Sequence, residues 1–269
     1  MNRTAVAAIT RRDLTVVARS RAVSLPILLL PIVFFVVAPA LLILGAGAVG
    51  EDLGEFEELL ALMPEAFRRD IAGLEPPAQV IVWGLEYVFA TFFLIVPLMT
   101  SAVIAADSFA GEKERKTLEA LVYTPTTDLE LYAGKLLAPW LAAVAVSTIG
   151  YVVFVTVASL FGWAIVGRPI ALTPRWILFV LVLAPGVAAL AIGALVQVSA
   201  RVRGFQEAYQ LGGLVVLPLV VVLLGQMTGV LYLDLPAVVV MAAIVWLVAV
   251  GTLAVGYRSF RRERLLVQL

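Results

Sequence analysis

The residues best equipped for chemistry lie in one stretch, GEKERKTLEALVYTP from Gly111 to Pro125, where Glu112, Glu114 and Glu119 interleave with Lys113, Arg115 and Lys116. Gly111, Lys116 and Thr117 approach a phosphate-binding loop, in which backbone amides cradle a phosphate beside a lysine and a hydroxyl. That motif needs glycine where Ala110 and Arg115 stand, and a strand before it, so nucleotide binding by this chain is not expected. Other catalytic chemistry has little to use. The chain has no cysteine and no histidine, which removes thiolate nucleophiles, disulfides, the usual general base and the commonest metal ligand. No pair of carboxylates lies within an apolar run, and no acidic metal-binding motif is present, so a membrane enzyme is disfavoured.

These charges must be carried by a very apolar frame. Of 269 residues, 62 % are hydrophobic and 14 % charged, with a mean hydropathy of +1.05; soluble domains carry roughly 25 % charged residues. Uncharged runs of about 20 residues are long enough to cross a hydrocarbon core. Six such spans are predicted, at 24–49, 81–106, 135–161, 176–200, 208–230 and 236–257. The predicted fold class is therefore an all-α integral membrane protein, one transmembrane domain over 1–269. Pro26, Pro31 and Pro39 each remove a helical hydrogen bond and should kink the first span. Residues 1–23 read as an amphipathic interfacial helix, with Val6, Ile9, Val16 and Val17 on one face, Arg11, Arg12 and Arg19 mostly elsewhere, and Asp13 interrupting the apolar face. The apolar run after it is too long for a signal-peptide core and lacks a small-residue cleavage site, so it is read as retained.

Lysine and arginine placement sets the expected orientation. With both termini inside, the cytoplasmic segments hold fifteen basic residues, and only Arg68, Arg69, Arg168 and Arg175 fall outside. Residues 50–80 then form an acidic outer loop. Its apolar positions Phe56, Leu59, Leu60, Met63, Phe67 and Ile71 recur at helical spacing around Pro64, which predicts two short surface helices.

Residues 107–134 fall on the cytoplasmic side. Gly111 is expected to let the chain turn out of the second span. A short amphipathic helix is predicted over 112–123, with Glu112 and Lys116 as an i,i+4 pair and Leu118, Leu121 and Val122 as an apolar edge. Thr124-Pro125 ends it. Thr127 and Glu130 fit a capping box that starts the third span.

The segment 111–138 resembles the signature of the type 2 family of ATP-binding-cassette transporter permeases, a G-E-x-E-x-x-T-L-E-x-L-x-x-x-P run followed by G-K-x-L. Gly111, Glu112, Glu114, Thr117, Leu118, Glu119, Leu121, Pro125, Gly134 and Lys135 match it. The wider pattern of interfacial helix, six spans and internal termini is similar to that family over nearly the whole chain. The resemblance implies a cytoplasmic-membrane protein that pairs with a second permease, identical or related, above two copies of a separate ATPase. ATP and magnesium would be held by the ATPase, and this chain would carry no cofactor. The helix at 112–123 would be the coupling helix, seating Gly111, Glu112, Lys113, Glu114, Arg115, Lys116, Thr117, Leu118, Glu119, Leu121, Val122 and Pro125 against the ATPase, with the N-terminal helix as second contact. Charge complementarity would fix partner and register. Lipid is the other expected partner; no nucleic acid is.

The function expected on this basis is the permease half of an ATP-driven exporter, moving an amphipathic substrate along an apolar interface. A self-sufficient secondary transporter or channel is the alternative, and sodium or drug extrusion the alternative within the family. Ion-coupled carriers bury ionisable groups in mid-membrane. Here Glu86 stands alone inside a span, near its outer end, from where it is expected to reach the interface. Gln197, Gln210 and Gln226 are read as interhelical hydrogen-bond partners.

Overall fold

The computed structural model describes residues 2–48, 58, 60, 61, 63–115, 126–202, 204–228 and 230–259, and among these the regular structure is helical throughout. Helix α1 (Arg3–Arg19) begins at an Asn2 cap whose side chain accepts from the Thr4 and Ala5 amides. Six helices are long and apolar enough to cross a membrane. They are α2 (Val23–Ala46), α4 (Pro76–Glu114), α5 (Asp128–Val166), α6 (Pro174–Ser199), α7 (Phe205–Met227) and α8 (Leu235–Arg258). The short α3 (Glu65–Ile71) starts at Pro64 and buries Phe67 and Ile71; the first of the two predicted surface helices falls largely outside the described residues.

Burial ranks the helices. In their most apolar windows α4 is 83 % and α6 67 % buried, whereas the other four lie between 11 % and 28 %. The pair α4 and α6 is thus the centre, and the rest form a shell whose outward Leu160, Val221 and Leu247 are exposed as lipid-facing residues are. In the core Trp176 of α6 packs on Phe93, Tyr151, Phe154 and Phe179, with ring centroids 5.1–6.1 Å apart.

The helices are longer than the apolar runs suggest. α4 begins five residues before the predicted span and continues to Glu114, while α5 begins at Asp128, seven residues before it. Hydropathy marks where charges start, but a helix goes on as long as its backbone bonds are satisfied. Prolines are absorbed by wide i→i+5 turns. One at Val33–Val37 lies between Pro31 and Pro39, and one at Phe179–Leu183 precedes Pro185. Wide turns also occur at Trp83–Val88 and Asp107–Gly111, and both matter below.

Candidate functional site

Lys135 is fully buried, although it stands at a predicted span boundary. Its ammonium reaches Glu112 Oε2 at 2.7 Å and Asp13 Oδ2 at 3.6 Å, and it donates to the Ser108 carbonyl at 3.0 Å. The Phe109 ring lies 5.7 Å from it. A buried ammonium survives only when surrounding acceptors replace its hydration, and here they come from α1, from the end of α4 and from the wide turn at Asp107–Gly111. Arg12 adds a half-exposed second cation, 3.6 Å from Glu112 and 3.7 Å from Asp13.

Gly134 explains how α1 gets close enough. A Cβ there would come 2.8 Å from Ile9 Cβ and 3.3 Å from the Val6 carbonyl oxygen. With hydrogen in its place, the Thr10 hydroxyl donates to the Gly134 carbonyl at 3.0 Å. The start of α1 is held as well. The Thr127–Glu130 capping box forms as predicted, and Glu130 also accepts from the Asn2 amide. Asp13, the residue that interrupts the apolar face, is therefore the one that face presents to Lys135. Neither of its oxygens has a hydrogen-bond donor. Burial pushes its carboxyl above the ordinary range, and the attraction of Lys135 only partly opposes this.

The other described charges of the signature also make contacts within the chain, although Glu114 and Arg115 are exposed. Lys113 Nζ donates to the Val202 carbonyl at 3.3 Å. Glu114 accepts from the Phe205 amide at 3.0 Å, satisfying a donor at the open N-terminus of α7. Arg115 reaches back to donate to Asp107 at 2.9 Å, which strengthens its hold on its proton. Gly111 departs from the reading made on sequence. Its backbone is helical, so it turns nothing; α4 runs straight through it. It is small because a Cβ would stand 2.7 Å from Asp107 Oδ1 and 3.2 Å from Arg115 Nη1. A helix starting afresh at Glu112 is likewise replaced by the continuation of α4, and Glu112 is buried. The remaining expected contacts, Lys116, Thr117, Leu118, Glu119, Leu121, Val122 and Pro125, lie outside the described residues.

A second cluster lies toward the other end of α4, and it corrects the placement of Glu86. That carboxylate does not reach the interface: it is 2 % exposed and 3.6 Å from Arg175 Nη2. Nearness in sequence gave no hint of this partner, which comes from α6. Arg175 also donates to the Glu86 carbonyl at 2.9 Å and to the Leu233 carbonyl at 3.4 Å, and its guanidinium lies 3.9 Å over the Tyr87 ring. Wide turns re-aim backbone carbonyls, and Trp83–Val88 offers two: that of Glu86 to Arg175 and that of Tyr87 to Gln226 of α7, at 3.3 Å. Gln226 also takes the Thr91 hydroxyl, so the reading of it as an interhelical partner holds; Gln197 likewise donates to the Thr252 carbonyl of α8. Tyr87 stacks on Tyr232 at 5.5 Å and donates to Asp70 at 2.8 Å, and Arg168 lies 3.7 Å from Asp70. An open cavity of about 480 Å³ is lined by Glu86, Tyr87, Arg175, Tyr232 and Asp234 among others.

Six apolar helices and a charged, internally braced end to the second of them fit a membrane transport component. The family described as ABC-2 family transporter protein matches residues 7–235, and the chain belongs to it. It is a multi-pass membrane protein and a permease subunit of an ABC transporter, a family that works with an ABC ATPase. No curated protein matches the chain. The family match covers the segment that carries the signature. The joint at Lys135 was missed, although two signals pointed to it: an acid in the middle of an apolar helical face, and a lysine set behind a glycine at the mouth of a span.

Proposed function

We propose that this chain is the membrane half of an ATP-driven exporter, with two ATPase subunits below and a second permease, identical or related, beside it in the cytoplasmic membrane. ATP and magnesium belong to the ATPase. Both termini and residues 107–134 face the cytoplasm, residues 50–80 face outside, and an amphipathic substrate moves along the apolar permease interface. The observation that carries this reading is the bracing of Glu112, Lys113 and Glu114 against α1, α5 and the segment before α7. A loop that merely joined two spans would need no such base. A loop that receives force from a partner does, because displacement at 116–125 must be passed to packed helices rather than lost in bending. In this reading Lys116, Glu119 and Leu121, members of the sequence signature, make the docking contact with the ATPase.

The test uses Glu119→Lys and Leu121→Ala in the complete complex. Each should reduce co-purification of the ATPase and lower transport per ATP while leaving the permease folded, since loss of one partner of a desolvated interfacial pair costs about 2–5 kcal/mol. An exposed charge that touches nothing is worth roughly 0–1 kcal/mol. Wild-type recovery of the ATPase and wild-type coupling in both variants would overturn the reading.

A further inference from the structure

We propose that α1 and the start of α5 form a binding site for an anionic phospholipid. One stripe of α1, running Arg3, Val6, Thr10, Arg11 and Leu14 at helical spacing, faces Leu137 and Leu141 of α5 across a groove of about 460 Å³. A second groove of about the same volume follows the neighbouring stripe, from Ala8 through Arg11 and Thr15 to Arg19. Arg11 lines both. Arg11, Arg3 and Arg19 are exposed residues, and none of the three has an ion-pair partner among the described residues. No carboxylate lines either groove. The one acid in the middle of α1, Asp13, is turned the other way and committed to Lys135. The rims are thus of single sign while the floor is aliphatic.

That combination fits an amphiphile with a negative head. Phosphate oxygens accept from the arginine rim. An acyl chain follows the aliphatic floor past Leu137 to Leu141, which is 42 % exposed, and onward along the outward face of α5 at Ile149 and Val152. A free phosphate would use the rim and leave the floor empty. A neutral phospholipid would use the floor but gain less from the rim, since basic side chains at a membrane surface favour anionic lipids by about fivefold each. Which leaflet supplies the lipid follows from the sidedness proposed above. The binding itself depends neither on sidedness nor on ATPase coupling, and it is measured without either.

The experiment titrates the purified full chain in detergent with phosphatidylglycerol or with phosphatidylcholine of the same acyl chains, and reads bound lipid by native mass spectrometry. Phosphatidylglycerol should be retained in preference. Arg11→Gln should weaken it about fivefold, and Arg3→Gln with Arg11→Gln about 25-fold, with no change in melting temperature because both side chains are exposed. Leu141→Asn should weaken both lipids, Arg258→Gln neither, and glycerol phosphate should not displace the bound lipid. Equal retention of the two lipids, an Arg11→Gln chain that binds like the wild type, or displacement by glycerol phosphate would overturn the proposal.

Discussion

The two ends of α4 solve the same problem, a carboxylate out of water, in different ways. At one end Glu112 meets an ammonium with no exposed surface, and the acceptors around Lys135 come from α1 and α4 with no opening between them. At the other, Glu86 meets a guanidinium that is spread over the Tyr87 ring and two backbone carbonyls, beside an open cavity of about 480 Å³. Lysine concentrates its charge in a small group with three donors, whereas arginine distributes it over a plane that stacks and bridges. The closed assembly fixes three chain segments at one point and suits a joint that carries load. The open one ties α4, α6 and the segment before α8 together while leaving water access, which suits a region that can rearrange. Breaking each end separately should therefore give different defects.

The largest effect is expected from Glu112→Lys. Reversal sets two ammonium groups against each other in a fully buried site, and among the described residues it leaves Asp13 as their sole carboxylate at contact range. Loss of one partner in a buried pair alone costs about 3–5 kcal/mol, so this variant should yield little folded permease by size-exclusion chromatography. It would then report on folding rather than on docking, unlike Glu119→Lys. A monodisperse Glu112→Lys protein with wild-type melting would mean that the closed joint is not closed.

Arg175→Met comes next. It strands Glu86 and frees the Leu233 carbonyl, with an expected loss of about 3 kcal/mol eased by the neighbouring cavity. Glu86→Gln should cost less, about 1–2 kcal/mol, because Arg175 keeps its carbonyls and the Tyr87 face. Melting of the purified chain measures both. ATP-driven export should remain in Glu86→Gln; complete loss of transport in an assembled Glu86→Gln complex would instead favour an ion-coupled mechanism.

The smallest effect concerns Asp13. Its carboxyl holds a proton above the ordinary value of 3.8, since burial outweighs the pull of Lys135. Between 3.8 and that raised value the folded chain binds more protons than the unfolded one, so the stability Asp13 contributes falls as pH rises through this window. Asp13→Asn should flatten that part of the curve and cost little at neutral pH. Thermal melts of both proteins across the acidic range check it, and an unchanged slope in the variant would assign the pH dependence to other groups.

Much of this architecture is written in local pattern. The six spans follow from runs of uncharged residues, and the capping box from Thr127 and Glu130 three residues apart. What escapes local reading is long-range pairing. Lys135 and Glu112 are 23 residues apart and Glu86 and Arg175 are 89 apart, and nothing in either neighbourhood names the partner. The wide turns escape too, because they depend on how prolines and packing share out backbone bonds. Charge spacing names only neighbours on the same helix, whereas Glu112 also meets Lys135 of α5. Residues such as Gly111 and Gly134 look like hinges in sequence, whereas in space each is a point where a side chain or another helix comes too near for a methyl group.

The central claim is that the closed joint transmits motion from the ATPase side into the bundle, and a double-variant cycle on Glu112 and Lys135 tests it most directly. Transport per ATP hydrolysed would be measured in the reconstituted complex for Glu112→Gln, Lys135→Met and the two combined. Each single change leaves an unmatched group in a buried site and should uncouple hydrolysis from transport; the pair removes both members of the 2.7 Å contact, leaves Asp13 to the adjacent Arg12, and should recover part of the coupling. Single variants that couple like the wild type, or losses that simply add in the double variant, would contradict the account.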